Sequence, residues 1–239
     1  MTDLLYFDDA YLRAFDATVV AVEEGSVALD RTAFYPGGGG QPADAGRLTF
    51  DGGQASVRRA RKREGQIWHE LEAGAPLPET GASVHGELDW ERRYQLMRTH
   101  TAMHVLCGVV WIDYGASVTG GNMEPLHGRM DFEFERMQKE LVQEIEARIN
   151  EEVAKAHPVA SRILPREEAF QIPDLIRTKI NLLPEGIQEV RVVEIKGLDL
   201  QADGGTHVKN TNEVGQLRIV DYKSKGAINK RLVVELEAA

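Results

Sequence analysis

The chain has 239 residues, of which 42% are hydrophobic and 28% are charged, and its formal net charge is −10. This composition is typical of a soluble globular protein and argues against disorder, while the single cysteine, Cys107, excludes an internal disulfide framework. The apolar runs are too short to span a membrane and the first residues lack the pattern of a secretion signal, so we expect a cytoplasmic protein.

The first part of the chain predicts a small domain resembling a β-barrel. Apolar and β-branched runs separated by Gly, Pro and Asp predict short strands at ATVVAVEE, SVALD, GRLTF, QIWHEL and SVHGEL. The pattern changes near Asp89, so we predict that this domain comprises residues 1–90.

Residues 91–239 predict a second domain of the α+β class. The run DWERRYQLMRTHTAMHVLCGVVW predicts a long helix, amphipathic or largely buried, in which Cys107 is expected to be a buried thiol. A second helix is predicted in ERMQKELVQEIEARINEEVAKAH. Its apolar face comprises Leu141, Ile145, Ile149 and Val153. Strand patterns at HGRMDFEF, HPVASRIL and QEVRVVEI, and a hairpin formed by GQLRIVDYKS and INKRLVVEL, predict a mainly antiparallel sheet covered by helices.

Two basic runs leave the question of a nucleic-acid partner open. The net charge of −10 opposes a polyanion at long range, but SVRRARKR (56–63) and KSKGAINKR (223–231) concentrate cations. Each run could contact phosphate groups. Each could equally be a solvated strand face or loop, which is the commoner reason for such a run.

Four residues have the chemistry and spacing of metal ligands. His100 and His104 lie four residues apart in the first predicted helix, so their imidazoles share one face and could converge on one ion. In the segment DGGTH (203–207), two glycines permit backbone conformations closed to other residues, which could bring Asp203 and His207 together. The four side chains would complete a tetrahedral zinc site. The alternatives are that the helical histidines pack or are solvated, and that Asp203 only bonds its own turn.

A glycine-rich segment follows the predicted strand SVALD. Four successive glycines (37–40) leave backbone N–H groups uncovered and allow a ligand to approach closely. No Lys-Ser/Thr pair follows them, and the strand-to-helix transition of a dinucleotide-binding fingerprint is absent, so neither nucleotide-binding motif is predicted. A hairpin loop is the alternative, although such a loop does not require Thr32, Gln41, Asp44 and the flanking aromatic pair.

Taken together, FYPGGGGQPADAG, RTHTAMH, ADGGTHVKNTNEVGQLRIV and KGAINKRLVVEL resemble the editing domain of alanyl-tRNA synthetases and its free-standing relatives, the AlaX proteins. The resemblance covers essentially the whole chain, and four motifs in the right order make it specific. It implies that the barrel-like domain carries the Gly-rich motif and that the second domain has the editing fold shared with threonyl-tRNA synthetase. It also implies that His100, His104 and His207 bind zinc, and that Thr32 lies near the substrate side chain.

The sequence departs from the family at one proposed ligand. The family usually has Cys where this chain has Asp203. A carboxylate is a harder ligand than a thiolate, so the preference for zinc over other divalent metals should be looser. Alternatively, Asp203 could stand off the metal and orient or deprotonate a water, which would leave three histidines as the ligands.

The resemblance implies hydrolysis of amino acids wrongly attached to alanine tRNA, with zinc as the cofactor and the mischarged tRNA as the partner. The candidate catalytic groups are the backbone amides of Gly38, Gly39 and Gly40 and the side chain of Gln41, which could stabilise an oxyanion or position the terminal adenosine. Thr32 could bond the hydroxyl of a mischarged serine. Serine is therefore the preferred substrate, and glycine is possible because a smaller side chain fits.

Two other functions remain open on the sequence. The replacement at Asp203 would suit a family member that has lost hydrolysis and only binds tRNA. The acidic net charge of −10 would suit a zinc hydrolase of a small ester or amide that ignores nucleic acid. The sequence leaves the oligomeric state undetermined.

Overall fold

A computed structural model describes residues 1–135, 137–178 and 186–237. The chain divides into two compact units, Met1–Gln95 and Leu96–Ala239. This division falls within a long helix that begins at Trp90. The domain limits of 1–90 and 91–239 therefore stay a prediction.

The first unit is built mainly from short strands. Its elements are β1 (Asp3–Leu4), α1 (Leu5–Asp8), β2 (Ala14–Glu23), β3 (Ser26–Leu29), β4 (Arg31–Thr32), β5 (Gly46–Phe50), β6 (Gly53–Arg63), β7 (Gln66–Leu71) and β8 (Ser83–Leu88). Six of these strands close into a barrel in the order β2-β3-β7-β6-β5-β8, while β1 and β4 form a separate parallel pair. The predicted barrel-like fold is confirmed.

The barrel closes around alternating apolar side chains. In β2, Phe15, Ala17 and Val19 are buried and the residues between them are exposed, as expected for strands with one face on a core. Phe34 and Leu48 are fully buried in the same core.

The second unit combines helices with antiparallel sheets. Its elements are α2 (Trp90–Tyr114), which starts in the first unit, β9 (Val118–Glu124), β10 (His127–Glu133), α3 (Lys139–Ala154), β11 (Val159–Pro165), α4 (Arg166–Ala169), β12 (Glu189–Ile195), β13 (Asp199–Ala202), a 3-10 helix (Thr211–Val214), β14 (Leu217–Ser224) and β15 (Asn229–Leu236). The strands form two sheets, ordered β14-β15-β10-β9 and β11-β12-β13, in place of the single predicted sheet. The α+β class and the β14–β15 hairpin are confirmed.

The two long helices are buried differently. Every residue from 96 to 110 of α2 is buried, so this helix is surrounded by protein rather than amphipathic, and Cys107 is a buried thiol as predicted. Helix α3 buries one face, but Val142 occupies the buried position for which the pattern predicted Leu141, which is only half-buried. Arg136, which the predicted second helix included, lies outside the described residues. Among the described residues, no helix is both long and apolar enough to cross a membrane.

Candidate metal centre

Four side chains from two separate segments of the second unit meet in one buried cluster. His100 and His104 lie on successive turns of α2, with ring centroids 5.2 Å apart. His207 follows β13 and stacks on His100 with a centroid separation of 4.2 Å. One ligand atom from each of His100, His104, Asp203 and His207 lies within 4.8 Å of the others. The four predicted ligands are therefore brought together as a group that could hold a metal ion.

The segment after β13 is held by Arg191, whose guanidinium donates to the carbonyls of Asp203 and Gly205 at 3.0 and 2.9 Å, and by the side chain of Asp203. Its Oδ2 accepts from the backbone N–H of Gly205 at 2.7 Å and lies 3.0 Å from Nε2 of His207. Asp203 thus closes its own turn, as the structural alternative predicted, and also faces the cluster, where its role as a metal ligand stays a prediction. Neither Gly204 nor Gly205 has a positive φ, so the turn does not depend on backbone conformations closed to other residues, contrary to the expectation from the sequence.

Each imidazole has a hydrogen-bond partner that fixes how it faces the cluster. Nδ1 of His104 lies 2.9 Å from Oδ2 of Asp199, and Nδ1 of His207 lies 3.2 Å from the hydroxyl of Thr101. His100 bonds the backbone of Thr206. With Nδ1 engaged, Nε2 of His104 and of His207 faces the cluster. This arrangement fits a metal, because ligating histidines normally give their other nitrogen to a carboxylate, hydroxyl or carbonyl.

Burial sets protonation states that suit metal ligands. It lowers the pKa of His100 to about 4 and holds the pKa of His207 well below its usual value, so both imidazoles are neutral at neutral pH. Burial disfavours the charged form of Asp203, but the neighbouring imidazoles and the hydrogen bond at His207 outweigh it and hold the pKa of this carboxyl well below its usual range. At His104, burial is outweighed by Asp199, which raises the pKa of the imidazole. Neutral imidazoles and an ionised carboxylate are the forms that bind metal, so His100, His207 and Asp203 have the suitable forms, whereas at His104 a metal would compete with the proton that Asp199 favours.

The predicted Gly-rich loop, residues 35–44, is a nested turn in the first unit. Tyr35 and Asp44 close it through two hydrogen bonds, of 2.6 and 3.0 Å. Inside this pair, the backbones of Gly38 and Gln41 bond each other at 3.0 and 2.9 Å. The two residues between them have φ values of 57° and 89°, the conformation of a type I′ turn, which explains glycines at both positions.

The nested turn engages part of the predicted catalytic set. The amide of Gly38 donates within the loop, so the candidate backbone donors narrow to Gly39 and Gly40. The side chain of Gln41 is buried. The amides at the tip and Gln41 thus belong to a loop that is closed by its own hydrogen bonds.

Thr32 lies in β4, in the interior of the first unit. Its hydroxyl is 2.8 Å from Nε2 of His69 and accepts from the N–H of Phe34 at 3.1 Å. Burial lowers the pKa of His69 to about 4, and its Nδ1 lies 3.2 Å from the carbonyl of Val27, so Nδ1 carries the proton. The hydroxyl of Thr32 is therefore the donor in its hydrogen bond with Nε2 of His69. No sequence pattern indicated His69 as the partner of Thr32.

The two basic runs are largely paired with acids. On β6, Arg59 and Arg61 both contact Glu70, although Arg58 and Lys62 are exposed on the same strand. In the second run, Lys223 pairs with Asp221, Lys230 bonds carbonyls of its own turn and Arg231 pairs with Asp131. These contacts support the interpretation of the second run as a solvated strand face and loop. In the first run, Arg58 and Lys62 remain exposed to solvent.

Comparison with known proteins identifies both parts of the chain. Residues 9–92 match the class II (A) tRNA synthetases, and residues 190–233 match the second additional domain of threonyl and alanyl tRNA synthetases. The alanyl-tRNA editing protein AlaX-M of Methanosarcina mazei is 42% identical, over 99% of this chain and 97% of that protein. The chain belongs to the alanyl-tRNA editing protein family.

Other members and relatives are similar over the same region. AlaX-M of Saccharolobus solfataricus is 39% identical over 97% of this chain and 98% of its own length. The alanine–tRNA ligase of Pyrobaculum neutrophilum is 40% identical over 90% of this chain but only 25% of its own length. The family resemblance drawn from the motifs is thereby confirmed, as is the editing fold of the second part.

Sequence reasoning missed the residues that support the site. Asp199 and Thr101 hold two of the imidazoles, and Arg93 is buried against Asp44 of the Gly-rich loop. None of these has a spacing that marks it, because each contact joins segments far apart in the chain. A charged residue within the apolar pattern of a helix, as at Arg93, is the one weak signal.

Proposed function

We propose that this protein hydrolyses the ester bond between alanine tRNA and a wrongly attached amino acid, with serine preferred over glycine. The observation that carries the proposal is the buried cluster of three histidines and Asp203, which has the donor chemistry of a metal site, in a member of the alanyl-tRNA editing protein family. Mischarged alanine tRNA is the proposed partner, and the cytoplasm is the proposed location.

Zinc is the proposed cofactor, held by His100, His104, Asp203 and His207. When bound, it supplies Lewis-acid polarisation of the ester carbonyl and lowers the pKa of the attacking water. Oxygens of Asp203 lie 3.0 Å from Nε2 of His207 and 3.5 Å from Nε2 of His100, and this placement among the other donors supports coordination. In the alternative role, Asp203 orients or deprotonates the water beside a three-histidine site.

The Gly-rich loop is proposed to act on the polar end of the substrate. The amides of Gly39 and Gly40 lie at the tip of the type I′ turn, and neither residue has a side chain of its own to cover them. Such donors could stabilise the developing oxyanion or hold the terminal adenosine.

Gln41 is proposed to assist these amides. Its replacement by alanine should slow hydrolysis of the ester, while Gln54→Ala, the exposed control, should retain the wild-type rate.

We expect chelation to abolish the activity. Purified protein incubated with seryl-, glycyl- and alanyl-tRNA specific for alanine should remove the seryl and glycyl esters and spare the alanyl ester, because the alanyl ester lacks the hydroxyl on which selection is proposed to depend. A chelator should stop the reaction and added zinc should restore it. Acid-gel electrophoresis of the tRNA follows the ester.

The same assay separates the alternatives. Intact esters together with measurable tRNA binding would indicate a member that only binds tRNA. Turnover of a minimal ester without tRNA, and none of the aminoacyl-tRNA, would indicate a small-molecule hydrolase. Activity that persists through complete metal removal would contradict the metal-dependent mechanism.

Thr32→Val is expected to reduce the preference for seryl over alanyl ester by about tenfold, the value of one hydrogen bond. Thr32 is fully buried, donates to His69 and accepts from the N–H of Phe34, so a direct contact with the substrate would use its remaining lone pair and require the residues around it to move. The measurement is the ratio of deacylation rates for the two esters.

Thr32→Ser, which keeps the hydroxyl, is the matched control for that experiment. Removing the hydroxyl also leaves Nε2 of His69 without its partner, so we expect a loss of about 1–3 kcal/mol in the free energy of unfolding. A Thr32→Val protein that loses stability but keeps its selectivity would remove Thr32 from substrate recognition.

A further inference from the structure

A buried carboxylate outside the four-residue cluster lies directly against one of its imidazoles. Oδ2 of Asp199, the first residue of β13, is 2.9 Å from Nδ1 of His104. The Asp199 side chain is completely buried. Burying a carboxylate away from water costs free energy unless hydrogen bonds and opposite charges compensate for it. The groups around Asp199 must therefore stabilise it in this position.

The surroundings of Asp199 hold its carboxylate in one orientation. Nε2 of Gln201 donates to the same Oδ2 at 2.7 Å. The guanidinium of Arg177 lies 3.8 Å from Oδ1 and supplies the opposite charge. Among the described residues, Oδ1 has no hydrogen-bond partner, so the bonding of this carboxylate is concentrated on the oxygen that faces His104.

The backbone of α2 allows β13 to approach so closely. Gly108 lies one helical turn beyond His104, and a Cβ atom there would come within 2.9 Å of the carbonyl of Leu198 and 3.2 Å of Cβ of Asp199. Glycine inside a helix costs about 1 kcal/mol relative to alanine. At Gly108 the absence of a side chain allows the close contact between Asp199 and the face of α2 that carries His104.

We propose that Asp199 is a positioning residue for the metal centre. A neutral imidazole donates from one nitrogen and accepts at the other, and an ionised carboxylate can only accept. Asp199 therefore holds the proton of His104 on Nδ1 and directs the lone pair of Nε2 into the cluster. Among the described residues, the corresponding nitrogen of His207 faces the neutral hydroxyl of Thr101, so within the cluster His104 is the imidazole whose donor strength a carboxylate at Nδ1 increases. The inference rests on the proposed metal site.

Asp199→Asn is expected to weaken zinc binding by about 10- to 100-fold, the usual effect of removing an outer partner of a metal-bound histidine. Asparagine keeps the shape, but it loses the charge and can present an NH₂ group to Nδ1, which would move the proton to Nε2. The dissociation constant is measured by competition with a chromophoric zinc chelator, on protein whose fold is checked by circular dichroism.

Asp16→Asn is the matched control, because Asp16 also accepts from Nδ1 of a histidine, His85, at 2.7 Å, but on the exposed surface of the barrel. It should leave zinc affinity unchanged. Wild-type protein that binds no zinc would contradict the proposed metal site itself. If wild-type and Asp199→Asn proteins bind zinc with equal affinity, the positioning role of Asp199 is overturned and the metal site itself is not. This holds even if the substitution lowers the stability of the protein.

A second measurement needs no substitution at Asp199. In zinc-loaded wild-type protein, ¹⁵N NMR of the histidine rings should show that His104 retains its Nδ1 proton and binds zinc through Nε2. Coordination through Nδ1 would overturn the proposal. Gly108→Ala, which should displace Leu198 and Asp199 while leaving every proposed ligand in place, should also weaken zinc binding. Unchanged affinity in a folded Gly108→Ala protein with Asp199 displaced would contradict it.

Discussion

Replacing His207 by alanine is expected to remove the metal and to reduce deacylation of seryl-tRNA by more than about 100-fold, beyond the usual cost of losing an outer-shell partner. His207, like His100, contacts every other member of the cluster. Its ring centroid is 4.2 Å from that of His100 and 4.7 Å from that of His104, and its Nε2 is 3.0 Å from Asp203. Without it, the remaining donors lose a ligand and a packing partner together.

The experiment compares metal content and activity in the same preparations. Elemental analysis gives zinc per chain, and the acid-gel assay gives the deacylation rate. His85→Ala is the control, because the imidazole of His85 is exposed on the barrel and lies 2.7 Å from the carboxylate of Asp16. Full zinc content and full activity in a folded His207→Ala protein would exclude this residue from the site.

Arg93→Met is expected to lower the free energy of unfolding by about 3–5 kcal/mol, because it leaves a buried carboxylate without its counter-charge. Arg93 is completely buried, and Asp44 is 1% exposed. Nε of Arg93 donates to both oxygens of Asp44, at 3.0 and 2.9 Å, and Nη2 donates to Asp44 and to the carbonyl of Ala33. Asp44 in turn accepts from the N–H of Tyr35, so the ion pair anchors the Gly-rich loop.

Chemical denaturation of matched variants tests this estimate. Arg47→Met breaks an exposed pair with Glu87, in which the side chains are 50% and 43% exposed, and should cost less than about 1 kcal/mol. The double variant Asp44→Asn/Arg93→Met removes both charges and should recover part of the loss. Similar small losses for Arg93→Met and Arg47→Met would show that the buried pair does not hold the loop.

The Gly-rich loop shows how far local patterns reach. A run of four glycines predicts a turn because no other residue tolerates such backbone conformations equally well, and the positive φ values at Gly39 and Gly40 agree with that reasoning. The pattern did not reveal that the amide of Gly38 donates to the carbonyl of Gln41, since hydrogen-bond partners depend on the turn type. The same limit applies to α3, where helical spacing indicated the buried face but not that Val142 lies closer to its centre than Leu141.

Local sequence patterns were sufficient to predict the barrel-like and α+β character of the two parts, the family, and the grouping of four side chains that have the chemistry of metal ligands. Each of these depends on local periodicity, on the four-residue spacing of His100 and His104, or on short contiguous motifs. Three contacts become visible in the folded chain alone: Asp199 with His104, Thr32 with His69, and Arg93 with Asp44. These contacts join residues 37 to 95 positions apart, and burial rather than spacing selects them, because a buried polar group must find a partner wherever the fold provides one.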